Sequence, residues 1–178
     1  MNQLLHDNKM LKVLRVFFDD PIHNFQLREI SREIRIHHKT VLKFIRQLLK
    51  SQLIKANKTG IYTSYNANTQ NPAFQEYKKA INQINLYESG LIKYISDKIM
   101  PETIILFGGY SKGTDAKTSD IDLFIESKEE KLELEKFEVV LGRKIHPLFE
   151  INIKNLNKEL LNNIINGIIV YGYVRIFK

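Results

Sequence analysis

The sequence contains no cysteine, and this absence excludes several chemistries at once. Without a thiol the chain can form no disulfide, no zinc–thiolate site and no cysteine nucleophile. Its five histidines lack the spacing of a metal motif such as H-E-x-x-H. No apolar run approaches the roughly 20 residues that span a bilayer, and the N-terminus lacks the apolar stretch of a signal peptide. We therefore expect a soluble, cytoplasmic protein with no membrane partner.

The excess positive charge of the chain lies in its first part. The 178 residues carry a net charge of +7, and a hydrophobic fraction of 43% is ordinary for a globular protein of one or two domains. Residues 1–68 hold twelve basic and five acidic residues, whereas residues 69–178 hold fifteen of each. This division predicts two modules, of which the first is suited to bind a polyanion such as nucleic acid.

Residues 1–68 have the pattern of three short helices followed by a β-hairpin. Apolar residues at helical spacing predict the three helices, near residues 9–18, 27–34 and 41–49. A strand from Leu53, a turn at residues 57–60 and an alternating strand from Ile61 complete the pattern.

This order of elements resembles a winged helix-turn-helix domain. Residues 30–41 are similar to the turn before the family's recognition helix, although Arg35 and Ile36 stand where the family usually has a glycine. The resemblance implies that the third helix enters the major groove of double-stranded DNA. The residues implied at base edges are His38, Lys39, Thr40 and Lys43, and those implied at phosphates are Arg46, Lys50 and Lys58. The alternative interpretation is a tri-helical core without a DNA role.

Residues 69–100 are predicted to join the two modules. Pro72 opens an amphipathic stretch with apolar residues at helical spacing from Phe74 to Ile99, and Gly90 is a predicted kink. A long linking helix is the first interpretation. A helix that forms a homodimer is the alternative, because winged-helix proteins often read paired half-sites as dimers.

The residues suited to chemistry follow an apolar run at residues 103–107, which predicts a buried strand. The strand ends at Gly108 and Gly109, where backbone N–H groups can approach a phosphate closely. Ten residues after Gly109 a second strand is predicted, on which Asp120 and Asp122 are two apart and face the same side. Two such carboxylates suit Mg²⁺, which binds through few carboxylates plus substrate phosphates.

This combination resembles the signature of the DNA polymerase β-like nucleotidyltransferases, and more narrowly that of the minimal nucleotidyltransferases. The close match covers residues 103–126, and the chain beyond it fits only in the order of its elements. The resemblance implies a metal site at Asp120 and Asp122 for Mg²⁺ or Mn²⁺, with an NTP, expected to be ATP, as substrate. The residues implied to bind the nucleotide are Gly108, Gly109, Ser111, Lys112 and Ser119.

The family also uses a third carboxylate, on a strand that we predict here at residues 143–151, after a helix at residues 128–141. Counting from the basic pair Arg143 and Lys144 places the family's third carboxylate at the position of His146. Glu150, however, is the only acidic residue available on the strand. Pro147 predicts that this strand lies at an edge or contains a bulge. We take Glu150 as the candidate third catalytic residue, with His146 as the alternative.

The sequence thus predicts an α+β protein with three parts. These are a winged helix-turn-helix domain at residues 1–68, a linking helix at 69–100 and a nucleotidyltransferase-like domain with a mixed sheet at 101–178. The predicted function is transfer of a nucleoside monophosphate from an NTP to a nucleic-acid end or a protein hydroxyl, such as that of a toxin partner. The alternative is a DNA-binding transcriptional regulator, or an antitoxin-like protein, whose nucleotidyltransferase domain is degenerate or senses nucleotide.

Overall fold

A computed structural model describes residues 8–175, and the chain divides into two compact units, Met1–Glu76 and Tyr77–Lys178. The first unit contains α1 (Lys9–Asp19), β1 (Phe25–Gln26), α2 (Leu27–Glu33), α3 (His38–Lys50), β2 (Ile54–Thr59) and β3 (Tyr62–Ala67). Helix α4 (Pro72–Glu88) crosses the boundary between the units. The second unit continues with α5 (Leu91–Ile99), β4 (Thr103–Phe107), α6 (Gly108–Lys112), β5 (Ile121–Glu126), α7 (Glu135–Leu141), β6 (Ile145–Glu150), α8 (Lys158–Ile165) and β7 (Ile168–Gly172).

The first unit is built on three helices, as the apolar spacing predicts. Helix α1 begins after Asn8, whose side chain accepts hydrogen bonds from the backbone N–H groups of Met10 and Leu11 and so caps the helix. The side chains without any exposure in this unit come from all three helices: Val13, Phe17, Ile30, Val41, Ile45 and Leu48. None of the helices within residues 8–175 has the length and apolarity needed to cross a membrane.

An antiparallel sheet with the strand order β1-β3-β2 completes the first unit. The prediction of a turn at residues 57–60 is wrong, because β2 continues to Thr59 and pairs with β3. Only Gly60 and Ile61 form the turn, and the φ of +62° at Gly60 suits a two-residue hairpin. Asn57 and Lys58 are both exposed in this part of β2. Exposed polar residues are also typical of turns, so the sequence here resembles that of a turn. Strand β1 has two residues, too few to show a pattern.

A four-stranded mixed sheet organises the second unit. Its strand order is β6-β5-β4-β7, in which β4 is antiparallel to both neighbours and β5 is parallel to β6. One face, which includes Ile121 and Leu123, packs on a large core that contains residues of α4 and α5. The opposite face, which includes Phe124, packs on Ile164 of α8. The α+β organisation with a mixed sheet is therefore confirmed.

The predicted linking segment is two helices. Gly90 has a φ of +78° and separates α4 from α5, so the helix ends there rather than bending. Leu91 and Ile95 of α5 are fully buried in the core of the second unit. Tyr77 lies within the apolar stretch that predicts this helix, yet it is 54% exposed, whereas its neighbour Lys78 is 1% exposed.

The helix predicted at residues 128–141 is shorter in the structure. Residues 128–134 are not helical, and α7 begins at Glu135. Phe137 is the one buried residue of α7. The stretch before α7 is rich in charge and offers no continuous apolar face, so it gains no packing energy as a helix. Strand β6 follows as an edge strand, as Pro147 predicted.

Candidate functional site

The two aspartates of the D-x-D motif lie at the start of β5, on one face of the sheet. Asp120 directly precedes the strand, and Asp122 pairs with Phe107 of β4 on one side and with His146 of β6 on the other. Even-numbered residues of β5 point away from the large core, so both carboxylates lie on the same face as Phe124. The Asp120 side chain is 40% exposed, and solvent can therefore reach the pair.

Gly108 leaves room for the carboxylate of Asp122. Its φ of +73° is in the left-handed region, where an L side chain is strained. A Cβ atom placed on Gly108 would lie 2.3 Å from Oδ2 of Asp122. The missing side chain therefore leaves the space in which this carboxylate sits. Gly109 differs, because the nearest atoms to its added Cβ would be 3.7 Å away, an ordinary contact.

The charge of Asp122 is disfavoured by its surroundings. Burial raises the pKa of its carboxyl above the ordinary value, and the negative charge of Asp120 raises it further. The nearby imidazole of His146 acts against both by lowering the pKa. A cation placed between the two carboxylates would offset their repulsion and favour the charged form of Asp122.

His146 and Glu150, the two candidates for a third site residue, have different neighbours on β5. The parallel register of β5 and β6 sets His146 beside Asp122 but sets Glu150 beside Glu126. Four residues along a strand separate the two candidates by about 13 Å. The carboxylate of Glu150 accepts hydrogen bonds from the Asn155 side-chain amide and from backbone N–H groups that follow β6, and these bonds lower its pKa. Glu150 therefore contacts the loop after β6 in this structure, and its expected role as the third catalytic residue stays a prediction.

The remaining residues predicted to bind nucleotide have different surroundings. The Ser111 hydroxyl is buried and donates to the carbonyl oxygen of Gly108 at 2.8 Å, so it holds the first turn of α6. The Ser119 hydroxyl accepts from the N–H of Ala116 at 2.9 Å and closes the turn before the aspartates. Lys112 is exposed at the end of α6. Ser111 and Ser119 thus support the loop by their own hydrogen bonds, and Lys112 presents its charge to solvent.

Sequence reasoning missed a buried charge cluster that holds this loop. Oδ2 of Asp115 lies 3.2 Å from Nζ of Lys78 and 2.8 Å from Nη2 of Arg143. Asn82 donates from Nδ2 to Oδ1 of Asp115 at 2.8 Å, and Arg143 also donates to the carbonyl oxygen of Ser119. We call Lys78, Asn82, Asp115 and Arg143 the buried charge cluster. It joins α4 and the segment just before β6 to the loop that ends at Asp120.

The sequence contains one signal for the buried charge cluster. Lys78 follows Phe74 by four residues and precedes Ile81 by three, which places a charged residue on the apolar stripe of α4. A lysine in that register requires a buried partner, because an unpaired buried charge is strongly destabilising. Its partner Asp115 and the second cation at that carboxylate, Arg143, have no sequence signal, since both are remote from Lys78 along the chain.

The carboxylate pair fits a divalent cation that takes its remaining ligands from a substrate. Within residues 8–175, no three His, Asp or Glu side chains are already arranged to hold a metal ion by themselves. Such a closed cage is not required, because Mg²⁺ is usually bound by one or two carboxylates plus substrate phosphates. The oxygen donors of Asp120 and Asp122, and the space that Gly108 leaves for one of them, are suited to this open type of site.

The first unit carries a basic face on α3. Lys39, Lys43, Arg46 and Lys50 are all polar side chains of α3 that recur at spacings of four, three and four residues. This spacing puts them on one side of the helix, opposite the buried Val41, Ile45 and Leu48. His38 and Lys58 are exposed as well, and Thr40 is half-buried. The basic residues predicted to contact DNA from α3 thus lie along one side of the helix.

Comparison with known protein families finds a match, which lies within the second unit. Residues 89–175 match the family described as Polymerase beta, Nucleotidyltransferase. The match contains Gly108, both aspartates and His146, and it supports a nucleotidyltransferase-type domain in this part of the chain. Among curated proteins, none matches this chain.

Proposed function

We propose that this protein transfers a nucleoside monophosphate from an NTP to an acceptor hydroxyl while its first unit binds double-stranded DNA. The observation that carries the proposal is the placement of Asp120 and Asp122 on one sheet face, beside a glycine that leaves room for a carboxylate. This geometry lies inside the segment that matches the nucleotidyltransferase family. ATP is the nucleotide that we propose as substrate.

The proposed reaction breaks one P–O bond and forms another. The acceptor oxygen attacks the α-phosphorus of the NTP, the bond between the α-phosphorus and the bridging oxygen breaks, and pyrophosphate leaves with the electron pair. The hydroxyl proton passes to solvent or to a neighbouring base. Asp120 and Asp122 would hold a divalent cation, Mg²⁺ or Mn²⁺, which supplies positive charge against the triphosphate. Gly108 keeps the carboxylate of Asp122 in its place.

Incubation of the protein with each NTP radiolabelled at the α-phosphate tests this function. We expect label on a nucleic-acid end or on a protein, such as a toxin partner, and no label when Asp120→Ala and Asp122→Ala are combined. Asp97→Ala is the matched control, because Asp97 is an exposed residue of α5 that forms an ion pair with Lys93. Nucleotide binding without label transfer in the wild type would contradict the proposed reaction.

The alternative function, a DNA-binding regulator that senses nucleotide, is favoured by one observation. His146 lies beside Asp122, where the resemblance leads us to expect a third carboxylate. Loss of that carboxylate would weaken catalysis while leaving nucleotide binding intact. The labelling experiment separates the two functions, because a sensor would bind NTP and transfer nothing.

We further propose that the first unit is a winged helix-turn-helix domain. The order α1-β1-α2-α3-β2-β3 and the sheet order β1-β3-β2 support it, as does the basic face of α3. Arg35, in the turn between α2 and α3, has a φ of +54°, a backbone conformation that explains a glycine preference at this point. The hairpin of β2 and β3, which carries Lys58, is the proposed wing.

Salt-dependent binding to duplex DNA tests the first unit. Each phosphate contact that Lys50 makes contributes about 0.9 to the slope of log K against log salt concentration. We expect Lys50→Gln to lower that slope by about one. Lys93→Gln, at an exposed lysine of the second unit, is the matched control and should leave the slope unchanged. Equal slopes for wild type and Lys50→Gln would contradict the proposed role of α3.

A further inference from the structure

The imidazole of His146 faces the carboxylate of Asp120 across a gap. Nδ1 of His146 lies 3.7 Å from Oδ2 of Asp120, which is longer than the roughly 2.7–3.2 Å of a hydrogen bond. Both side chains are accessible, with 64% of the imidazole and 40% of the carboxylate exposed. The imidazole and the carboxylate are therefore close to each other but are not joined by a direct hydrogen bond.

The width of this gap suits a shared cation. A first-row divalent metal binds nitrogen and oxygen ligands at about 2.0–2.2 Å, so two ligands of one ion lie roughly 3–4 Å apart. The register of β5 and β6 also places His146 beside Asp122. One nitrogen donor and two carboxylates thus lie on the same face of the sheet.

An imidazole in this position changes which cation the site prefers. Carboxylate oxygens and water suit Mg²⁺, whereas imidazole nitrogen suits the first-row transition metals. Within the described part of β6, Glu150 is the one acidic residue, and it is bound to the loop after the strand. The nearest candidate for a third ligand at the aspartates is therefore a nitrogen.

We propose that His146 is a ligand of the divalent cation at Asp120 and Asp122, and that the site consequently selects Mn²⁺ over Mg²⁺. This inference rests on the proposed function, because it requires that the two aspartates hold a cation. It goes beyond that function by naming the ligand that sets the metal preference. His146 then acts on the triphosphate only through the cation.

Binding of Mn²⁺ to the full chain, followed by electron paramagnetic resonance, tests the proposal without measuring activity. Inorganic tripolyphosphate supplies the phosphate oxygens, because it contains no nitrogen that could be mistaken for imidazole. We expect a nitrogen hyperfine coupling in the wild type that disappears in His146→Asp. Even groups that only support a ligand are worth about 10–100-fold in metal affinity, so the preference for Mn²⁺ over Mg²⁺ should fall at least about tenfold in this variant.

Two controls keep the outcomes distinct. His23→Asn alters an exposed histidine of the first unit and should leave both the coupling and the preference unchanged. Because His146 is 64% exposed, His146→Asp should fold normally, which far-ultraviolet circular dichroism checks. Mn²⁺ binding that requires both aspartates but shows no nitrogen coupling would overturn this inference and leave the proposed function standing. A coupling that persists in His146→Asp would also overturn it. Absence of any Mn²⁺ binding that depends on the aspartates would overturn the proposed metal site as well.

Discussion

The buried charge cluster gives the most demanding prediction for stability. The side chains of Lys78 and Asp115 are 1% and 0% exposed, and that of Arg143 is 8% exposed. In Asp115→Asn the new amide keeps an oxygen for Asn82 but turns an N–H group toward two cations. Both cations then stay buried without this counter-charge. Breaking a buried ion pair in this way costs about 3–5 kcal/mol, a large part of the roughly 5–15 kcal/mol that stabilises a domain.

The assay must report on the second unit alone. The chain contains no tryptophan and divides into two compact units, so a single optical signal would not report on one unit alone. Hydrogen exchange at increasing urea, read on peptides from β4 and β5, measures the opening free energy of the sheet. We expect Asp115→Asn to lower this free energy by about 3 kcal/mol or more.

Asp97→Asn is the matched control for this prediction. Asp97 forms an ion pair with Lys93 one turn away on α5, and the two side chains are 63% and 79% exposed. Exposed pairs of this spacing contribute about 0.3–0.5 kcal/mol. If Asp115→Asn and Asp97→Asn change the opening free energy by similar amounts, the cluster is hydrated in solution and the reasoning from burial fails.

Two further predictions concern the candidate site. Gly108→Ala should weaken the binding of Mn²⁺ measured by calorimetry, because the added Cβ would displace the Asp122 carboxylate. Gly109→Ala is the control and should leave this binding nearly unchanged. Equal effects of the two substitutions would contradict the role of Gly108. Glu150→Gln should leave nucleotide transfer unchanged. Full loss of transfer would indicate that Glu150 takes part in catalysis. Since the folded pKa of Glu150 is lowered, its stabilisation is present above the ordinary value of 4.5 and is lost as the pH falls through the lower folded value. The difference in urea midpoint between wild type and Glu150→Gln should therefore shrink in acid, and a constant difference would contradict the role of its hydrogen bond to Asn155.

Elements with a strong periodic pattern could be predicted from the sequence. Helices α1 and α3 each have one apolar face over three turns or more, and β4 is a continuous apolar run. The hairpin turn and the start of α7 were misplaced, because polar residues occur both in turns and on exposed strands. These errors lie where few side chains are buried, so burial imposed no pattern on the sequence.

The pairing partners of the site residues could not be predicted from local patterns. The alternation on β5 places Asp120 and Asp122 together, which needs only the period of a strand. The choice between His146 and Glu150 depends on how β6 aligns with β5, and the residues of neither strand specify that register. His146 and Glu150 share a strand face, so the alternation of side chains along the strand does not distinguish them. Asp115 and its cations are brought together only by tertiary packing.

The exposed position of His146 on an edge strand also determines how readily this site can evolve. Histidine and aspartate codons differ at the first base alone, so a single base change exchanges the imidazole for a carboxylate. An exposed residue at the edge of a sheet can be replaced without repacking the interior, and such surface substitutions usually alter stability little. A site with three carboxylates is therefore one base change from this chain, and that change is expected to cost little stability.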